Sequence, residues 1–396
     1  MPLSDRTRLI ASATARGGGR RPVNPPIERA STLLNDDPAR MTDSSDGPVY
    51  GLDGTGAARA LRAAIADLEG AAQTWLVPSG LAAVTVPLMA LLKPGDAVLA
   101  TDGVYGPSRR FLTRWMAQRG VTTRFHPADA SVDQITAMIG ANTRLLLIES
   151  PTSLTFDMVD VAALAAACRA RGVLTAMDNA WGAGLALRPL AHGVDVSIHP
   201  LTKYVGGHSD LLMGAISVAD PDIGRAIAET VEDQGWHVSP DDAWLALRGL
   251  RTLAVRYAEQ EKSARIVVDW LAKQAEVARV LWPALPSDPG HALWTRDYSG
   301  AASLFGVVMK GGTTAQAHAL MRALTLFGLG YSWGGFESLI THETPQLAQR
   351  AHPPMLEGQL IRLHIGLEDP ADLITDLEAG LAAWRALQDS NLQPSA

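Results

Sequence analysis

Short apolar segments of strand length recur along the first half of the chain, and helical or loop segments separate them. The strand-like segments are residues 74–77, 97–101, 144–148, 173–177, 194–198 and 215–218. Apolar residues at helical spacing lie between them, for example at 58–68, 81–92 and 161–171. Strands that alternate with helices are joined by right-handed crossovers and lie parallel in one sheet. The alternation therefore predicts an α/β fold with a mainly parallel sheet.

Composition narrows the class of protein. The 396 residues are 47% hydrophobic and 19% charged, which is typical of a globular chain long enough for two domains. The net charge of −7 argues against a nucleic acid or an anionic membrane as the partner. A single cysteine, Cys168, excludes an internal disulfide framework and a cysteine-rich metal site, and we expect no metal. Without an apolar signal segment at the start, we expect a cytoplasmic protein.

The pattern also predicts three segments. Residues 1–55 form an N-terminal arm, 56–245 a large domain and 246–396 a smaller C-terminal α/β domain with strands at 303–309 and 361–366. The start of the arm is rich in Arg, Gly, Pro and Ser, so it is either a disordered tail or a segment that covers a neighbouring subunit. We favour the second interpretation because the apolar residues between Ile27 and Leu34 need burial.

The segment 194–214 carries the strongest chemical signal. A strand-like run leads into a Gly-rich loop in which Lys203 lies between Thr202 and Tyr204. A lysine placed there is suited to form a Schiff base if burial keeps it uncharged. Asp178 ends the preceding strand, at the edge where α/β sheets bind ligands. A Lys for an aldehyde and an Asp for a ring nitrogen are what pyridoxal 5'-phosphate (PLP) requires.

The run from Ser197 to Asp210, Ser-Ile-His-Pro-Leu-Thr-Lys-Tyr-Val-Gly-Gly-His-Ser-Asp, resembles the PLP-lysine segment of the Cys/Met-metabolism family of fold-type I enzymes. The resemblance extends over residues 8–385. It implies a fold-type I, PLP-dependent transferase-like fold, with Lys203 and Asp178 as catalytic and cofactor-binding residues. It also implies a homotetramer, a dimer of dimers, whose active sites are shared across the dimer interface.

The same resemblance assigns other cofactor contacts. Gly80 and Leu81 correspond to the family's phosphate-binding turn at the start of a helix, where free backbone amides favour an anion. Thr202 is implied as a further cofactor contact. Tyr105 corresponds to a tyrosine that stacks on the pyridine ring and takes part in catalysis. Tyr50, in Tyr-Gly-Leu-Asp-Gly-Thr, corresponds to a residue that reaches the cofactor and substrate of the partner subunit.

Two C-terminal motifs bear on the substrate, an amino acid. Arg362, in Ile-Arg-Leu-His-Ile-Gly-Leu, corresponds to the clamp for the substrate α-carboxylate. Tyr331, Ser332 and Trp333 begin Tyr-Ser-Trp-Gly-Gly-Phe-Glu-Ser, which resembles the β-lyases of the family rather than its γ-synthases and γ-lyases. Without the resemblance, Trp333 could be a core residue and Arg362 an exposed one.

The resemblance therefore implies a carbon–sulfur β-lyase that cleaves L-cystathionine to homocysteine, pyruvate and ammonia in methionine biosynthesis. Cysteine desulfhydrase or γ-lyase activity and a non-catalytic PLP-fold protein stay open as alternatives. The sequence departs from the family at two places. Leu52 replaces an arginine that reaches the partner's phosphate, and Pro200 replaces a phosphate-binding serine.

Overall fold

A sheet at the centre of the large segment organises the fold. The computed structural model describes residues 3–12, 20, 22–45 and 47–392, with the side chains from 388 onward left aside. In these ranges the sheet contains seven strands. They are β1 (Gln73–Val77), β2 (Ala97–Thr101), β3 (Thr122–His126), β4 (Thr143–Glu149), β5 (Leu174–Asp178), β6 (Val196–His199) and β7 (Gly214–Val218).

The order of these strands is β1-β7-β6-β5-β4-β2-β3. All neighbouring pairs are parallel except those of β7, which runs antiparallel to β1 and to β6. The register places Glu149 of β4 beside Asp178 of β5. The carboxyl ends of β4, β5 and β6 therefore meet at one edge, and the loop that carries Lys203 begins there.

Helices cover the sheet and link it to the C-terminal part. They are α1 (Asp5–Ser12), α2 (Gly56–Glu69), α3 (Gly80–Leu91), α4 (Gly106–Arg110), α5 (Val132–Ala137), α6 (Val161–Arg169), α7 (Pro221–Asp233), α8 (Pro240–Leu250), α9 (Leu253–Leu271), α10 (His291–Asp297), α11 (Thr314–Ala323), α12 (Thr344–Leu347) and α13 (Pro370–Leu392). A π-helical segment, Phe111–Met116, continues α4. Among the described residues, no helix combines the length and apolarity needed to cross a membrane.

Local sequence explains where several helices begin and end. In α2, Leu61, Ile65 and Leu68 lie on one face and are buried, and the helix ends at Gly70 in the left-handed conformation, φ 69°. Ser79 caps α3 by accepting a hydrogen bond from the Ala82 amide.

A second sheet lies in the C-terminal part. In the described residues its five strands run in the order β10-β11-β12-β9-β8. They are β8 (Val277–Leu281), β9 (Leu304–Met309), β10 (Gly328–Leu329), β11 (Leu339–His342) and β12 (Leu360–His364). Only the β10–β11 pair is parallel in this set. Helices thus alternate with strands here too, but the sheet is mostly antiparallel.

The predicted mainly parallel sheet is confirmed, and each predicted strand matches a strand within two residues at either end. The strand expected at 194–198 begins at Val196 because Asp195 instead accepts hydrogen bonds from Thr175. Several elements were not predicted, among them β3, α7, β8 and β11.

The three-segment division stays a prediction. Residue 245 lies inside α8, so we propose to place the junction between α8 and α9, at Arg251 and Thr252. The arm contacts its own chain through α1, where Leu9 is buried, and through Trp244, whose indole N–H donates to Pro25. Leu34 of the arm is 95% exposed in the single chain, and its burial against a neighbouring subunit stays a prediction.

One buried tyrosine joins the lysine loop to the second sheet. The Tyr204 hydroxyl accepts a hydrogen bond from the Ser303 amide at 2.8 Å and lies 3.1 Å from Ser303 Oγ. Tyr204 is fully buried, and its ring packs edge-on against Tyr257 and Trp333. Because Ser303 directly precedes β9, this contact fixes the second sheet against Lys203.

We predict that Tyr204→Phe lowers the free energy of unfolding by about 1–3 kcal/mol, since it leaves the buried Ser303 amide without its acceptor. Tyr331→Phe is the matched control, because the Tyr331 side chain is 80% exposed. Chemical denaturation of both variants measures the difference. Equal stability of the two would contradict a structural role for the Tyr204 hydroxyl.

Candidate active site

A cavity of about 670 Å³ opens at the carboxyl edge of the central sheet, between the two sheets. Of the residues predicted to form the site, all but Tyr50 line it. These are Gly80, Leu81, Tyr105, Asp178, Thr202, Lys203, Tyr331, Ser332, Trp333 and Arg362. The fold therefore brings together residues that are up to 282 positions apart in sequence (362 − 80).

Lys203 lies at the centre of the cavity and is held by the opposite loop. Its ammonium group donates a hydrogen bond to Ser332 Oγ at 2.7 Å and lies 5.2 Å from the centre of the Trp333 ring. Burial, helped by the positive charge of Arg362 and opposed by Asp178, lowers the pKa of Lys203 to about 8. A lysine with this pKa exchanges its proton readily near neutral pH.

The loop that holds Lys203 is itself fixed from behind. Ser332 has a left-handed backbone with φ 86°, and Gly334 has φ 83°. A side chain on Gly334 would lie 2.8 Å from the Tyr204 backbone, so only glycine fits. The Gly334 amide donates to Nε2 of buried His364, whose pKa burial lowers to about 3. His364 is therefore a neutral acceptor that sets the position of Ser332.

Two buried carboxyl groups lie on neighbouring strands at the floor of the cavity. Asp178 accepts a hydrogen bond from the Ala180 amide at 3.0 Å, and Glu149 accepts from the Tyr105 amide and from Ser153 Oγ. Burial raises the pKa of both groups, and for Glu149 the negative charge of Asp178 raises it further. A cationic ring nitrogen beside Asp178 would relieve this desolvated negative charge.

The start of α3 forms the anion-binding end of the cavity. Ser79 occupies the cap, and the amides of Gly80 and Leu81 make no hydrogen bond within the described part of the chain. A Cβ on Gly80 would lie 2.6 Å from Cβ of Pro200, so glycine lets this turn approach the lysine loop closely. Free amides at a helix start suit a phosphate. Pro200 itself offers no donor, as the sequence implies.

Thr202 lines this end of the cavity, but its hydroxyl already forms two hydrogen bonds to Met213. Its hydroxyl donates to the Met213 carbonyl at 3.1 Å and accepts from the Met213 amide at 2.9 Å. A hydrogen bond from Thr202 to a phosphate would require the hydroxyl proton to turn away from Met213. The predicted role of Thr202 therefore stays a prediction, and Ser79, whose hydroxyl proton is not used by its cap, is an additional donor.

Arg362 lies on β12 of the second sheet and lines the cavity. It is 3.5 Å from the fully buried Glu343, which compensates part of its charge. Burial lowers the pKa of Arg362, and the carboxylate of Glu343 opposes that effect. The guanidinium group stays charged and can bind a substrate carboxylate through two parallel hydrogen bonds.

The two tyrosines predicted to contact the cofactor differ in position. Tyr105 follows β2 and lines the cavity; partial burial and the charges of Asp178 and Glu149 raise its pKa, so the phenol stays protonated. Tyr50 is 55% exposed and lies outside the cavity of its own chain, next to Leu52 in a short 3₁₀ turn. The expected role of Tyr50 in a partner subunit stays a prediction.

Sequence reasoning missed Ser79, Glu149 and Ser153. Glu149 was recognisable as an acid at the end of a parallel strand, the same signal that identified Asp178. Within the described residues, no group of three or more His, Cys, Asp or Glu side chains is arranged to hold a metal ion.

The residues present fit PLP. The unpaired amides of Gly80 and Leu81 suit its phosphate, Lys203 its aldehyde, and the desolvated carboxyl of Asp178 its ring nitrogen. Each of these groups lines one continuous cavity. This chain has Leu52 where the family resemblance implies an arginine. We therefore expect the phosphate to depend mainly on backbone amides and the helix start.

We predict that acetylation of Lys203 by acetic anhydride, with the cofactor removed, is half-maximal near pH 8 rather than near the ordinary lysine value of 10.5. Mass spectrometry of the Lys203 peptide measures the modification. Asp178→Asn should move the midpoint lower because it removes a negative charge, and Arg362→Gln should move it higher because it removes a positive charge. A midpoint near 10.5 would show that the cavity does not desolvate Lys203.

Comparison with known proteins agrees with this site. The family described as "Cys/Met metabolism PLP-dependent enzyme" matches residues 6–382. A putative cystathionine beta-lyase of Rhizobium johnstonii is 43% identical over 92% of both chains. The cystathionine beta-lyase of Bordetella avium is 41% identical over 92% of this chain and 93% of its own. The crystal structure of metB from Corynebacterium glutamicum superposes with a TM-score of 0.90 at 29% identity, over 96% of this chain and 98% of that one.

More distant relatives are named for other reactions. An L-alanine/L-glutamate racemase of Wolbachia pipientis and a cystathionine gamma-synthase of Mycobacterium bovis are each 35% identical over 91% of this chain. The family is thus shared by these proteins although their reactions differ. The fold, the cavity and the family match agree, and the chain belongs to the Cys/Met-metabolism family of PLP-dependent enzymes.

Proposed function

We propose that the protein is a carbon–sulfur β-lyase that converts L-cystathionine and water to L-homocysteine, pyruvate and ammonia, as a cytoplasmic enzyme of methionine biosynthesis. The contact between Lys203 and Ser332 carries the proposal, because the Tyr-Ser-Trp motif that resembles the β-lyases touches the lysine to which we assign the proton transfer. Relatives named as cystathionine beta-lyases support it. The racemase and γ-synthase among the relatives leave the reaction to be tested.

Substrate binding uses both sides of the cavity. Arg362 binds the α-carboxylate, with Glu343 behind it to fix the guanidinium group. Trp333 lies beside Lys203 and limits the space open to the substrate side chain. A tetrahedral Cα with its carboxylate at Arg362 can then turn its proton toward Lys203. Tyr105, next to the carboxyl edge of the sheet, would stack on the ring of the cofactor.

Proton transfer is the task of Lys203. When bound, PLP supplies an electron sink that stabilises negative charge at Cα. Lys203, as the neutral amine, takes the Cα proton, and Ser332 Oγ at 2.7 Å fixes the position of its nitrogen. The Cβ–S bond breaks with its electron pair on sulfur, and Lys203 returns the proton to the leaving thiolate. Water then releases ammonia from the remaining three-carbon unit, which leaves as pyruvate.

Asp178 and Tyr105 act without moving far. Asp178 would hold the ring nitrogen of PLP in its protonated form, because a cation beside this buried carboxyl is favourable. Glu149 accepts a hydrogen bond from the backbone amide of Tyr105 at 2.7 Å and so fixes the position of Tyr105. Neither group needs to change its protonation state during the reaction.

Product analysis tests the reaction. With L-cystathionine, β-cleavage gives pyruvate and homocysteine, whereas γ-cleavage gives 2-oxobutyrate and cysteine. We predict the first pair, and we predict that Lys203→Ala lowers pyruvate release by at least about a hundredfold because general acid–base transfer is lost. Lys262→Ala is the control, since Lys262 is a surface residue paired with Glu259.

The alternatives give different outcomes. Sulfide from L-cysteine without cleavage of cystathionine would indicate a desulfhydrase, and 2-oxobutyrate would indicate a γ-lyase. Bound PLP without any product would support a non-catalytic protein. Turnover of Lys203→Ala at the rate of Lys262→Ala would overturn the role given to Lys203.

We further propose a homotetramer made of two dimers, in which Tyr50 of each chain completes the site of its partner. The exposed Tyr50 and the exposed apolar arm support this. Tyr50→Ala and Lys203→Ala should each be inactive alone, and mixing them under conditions of subunit exchange should restore part of the activity through hybrid sites. If mass spectrometry shows that hybrids form and pyruvate release stays absent, the sites are not shared.

A further inference from the structure

Helix α9 buries three large polar side chains within five positions. Arg256, Tyr257 and Gln260 are 7%, 3% and 1% exposed. The other buried positions of α9 carry mostly leucine, valine and alanine. Burial of a polar group costs stability unless the group finds a partner. The partners of these three side chains therefore show what the helix holds in place.

Arg256 holds the loop of Lys203. Its guanidinium group donates to the Gly249 carbonyl, in the last turn of α8, at 2.9 Å and to the Val205 carbonyl, two residues after Lys203, at 3.4 Å. A Cβ on Gly207 of the same loop would lie 2.0 Å from Nη1 of Arg256, so the loop packs directly on the guanidinium group. Burial lowers the pKa of Arg256 to about 10, and no described carboxylate opposes this effect.

Gln260 holds the loop of Ser332. Its side-chain amide donates to the Gly335 carbonyl, three residues after Ser332, at 2.6 Å. Nε2 of His364 also lies 3.3 Å from this carbonyl, but it accepts a hydrogen bond from the Gly334 amide and so carries no proton to donate. Gln260 is therefore the donor that fixes this buried carbonyl.

Tyr257 holds a third loop of the site. Its hydroxyl donates to the carbonyl of buried Trp181, three residues after Asp178, at 3.1 Å. The loops that follow Asp178, Lys203 and Ser332 thus each present a backbone carbonyl to the same short stretch of α9.

The spacing of these donors on the helix sets the spacing of the loops. Arg256 and Gln260 are four positions apart, so their side chains lie on one face, about 6 Å apart along the axis. The side chain of Lys203 is long and flexible. Its contact with Ser332 Oγ at 2.7 Å therefore depends on the separation of the two loops that α9 holds.

Two of these side chains each keep a buried atom without a partner. Nη1 of Arg256 and Oε1 of Gln260 form no hydrogen bond within the described part of the chain. Unpaired buried polar atoms lower stability, so an apolar side chain would serve better if packing were the only task. The donors that reach the loops account for the presence of a guanidinium and an amide here.

We propose that α9 is the positioning element of the site: Arg256 and Gln260 hold Lys203 against Ser332, and Tyr257 holds the loop after Asp178. None of the three side chains on α9 lines the cavity, so they act through the loops. The inference rests on the proton transfer proposed for Lys203, and not on which bond of the substrate breaks afterwards.

Exchange of the Cα proton of L-alanine for solvent deuterium tests the proposal in the holoenzyme. Lys203 takes the Cα proton, the amine exchanges with D2O, and the electron pair of the broken C–H bond takes up a deuteron. Alanine has no leaving group, so the exchange reports proton transfer at Cα alone. Proton NMR follows the loss of the Cα signal.

We predict that Gln260→Met and Arg256→Met each slow this exchange at saturating alanine at least about tenfold, because a small displacement of Lys203 misaligns the proton transfer. The alanine concentration for half-maximal exchange should change by less than about twofold, since Arg362 still binds the carboxylate. Arg256→Lys keeps a donor and should retain more of the rate than Arg256→Met. Tyr257→Phe removes only a hydroxyl and should also slow exchange, which keeps the test open if a larger change prevents folding.

Gln316→Met is the matched control. Gln316 is a buried glutamine, 4% exposed, whose side-chain amide donates to the Trp384 carbonyl at 3.4 Å and which does not line the cavity. This variant should lose stability in chemical denaturation and still exchange alanine at the wild-type rate. Cofactor absorbance gives the PLP content of each variant, so that every rate is expressed per occupied site.

Equal exchange rates in Gln260→Met and Gln316→Met would overturn the proposal. A loss in Gln260→Met that follows PLP content or alanine binding, rather than the rate at saturation, would overturn it too. Absence of exchange in the wild type would overturn the role of Lys203 and this inference with it. Exchange of alanine without cleavage of L-cystathionine would mean that the proposed β-lyase reaction fails while positioning by α9 stands.

Discussion

The hydrogen bond between Lys203 Nζ and Ser332 Oγ joins the central sheet to the C-terminal part of the molecule inside the cavity. Lys203 leaves the central sheet after β6, and Ser332 belongs to a loop of the C-terminal part. Hydrogen bonds among Tyr204, Ser303 and His364 connect the two loops behind this contact. A lysine side chain has four rotatable bonds, so a fixed partner is what gives its nitrogen a defined position.

Desolvation shifts the pKa values of the ionisable groups around this contact. Lys203, Asp178 and Glu149 are all taken out of water, which makes the charged form of each less stable. The lysine therefore approaches neutrality near physiological pH, and a cation beside Asp178 would stabilise its carboxylate. Because the second sheet forms one wall of the cavity, the pKa of Lys203 depends on how the two sheets pack, not on the lysine loop alone.

Particular elements show how far the sequence could be read. The strands that end at Glu149 and Asp178 were recognisable because a buried parallel strand is a short, nearly continuous apolar run bounded by polar residues. Strand β3, Thr-Thr-Arg-Phe-His, was not recognised because an edge strand alternates and carries few apolar side chains. The mostly antiparallel second sheet was not foreseen either, since alternation of helices and strands does not fix strand direction when connections are long.

The sequence by itself determined the mainly parallel sheet, the lysine and aspartate at its carboxyl edge, and the glycine turn at Gly80, because these depend on local patterns and on motifs that survive in one stretch of chain. Tertiary structure decided what no single stretch contains. It placed Ser332 on Lys203 and committed the Thr202 hydroxyl to Met213. These outcomes depend on distances between side chains far apart in sequence, and such distances are set by the packing of the two sheets rather than by residue order.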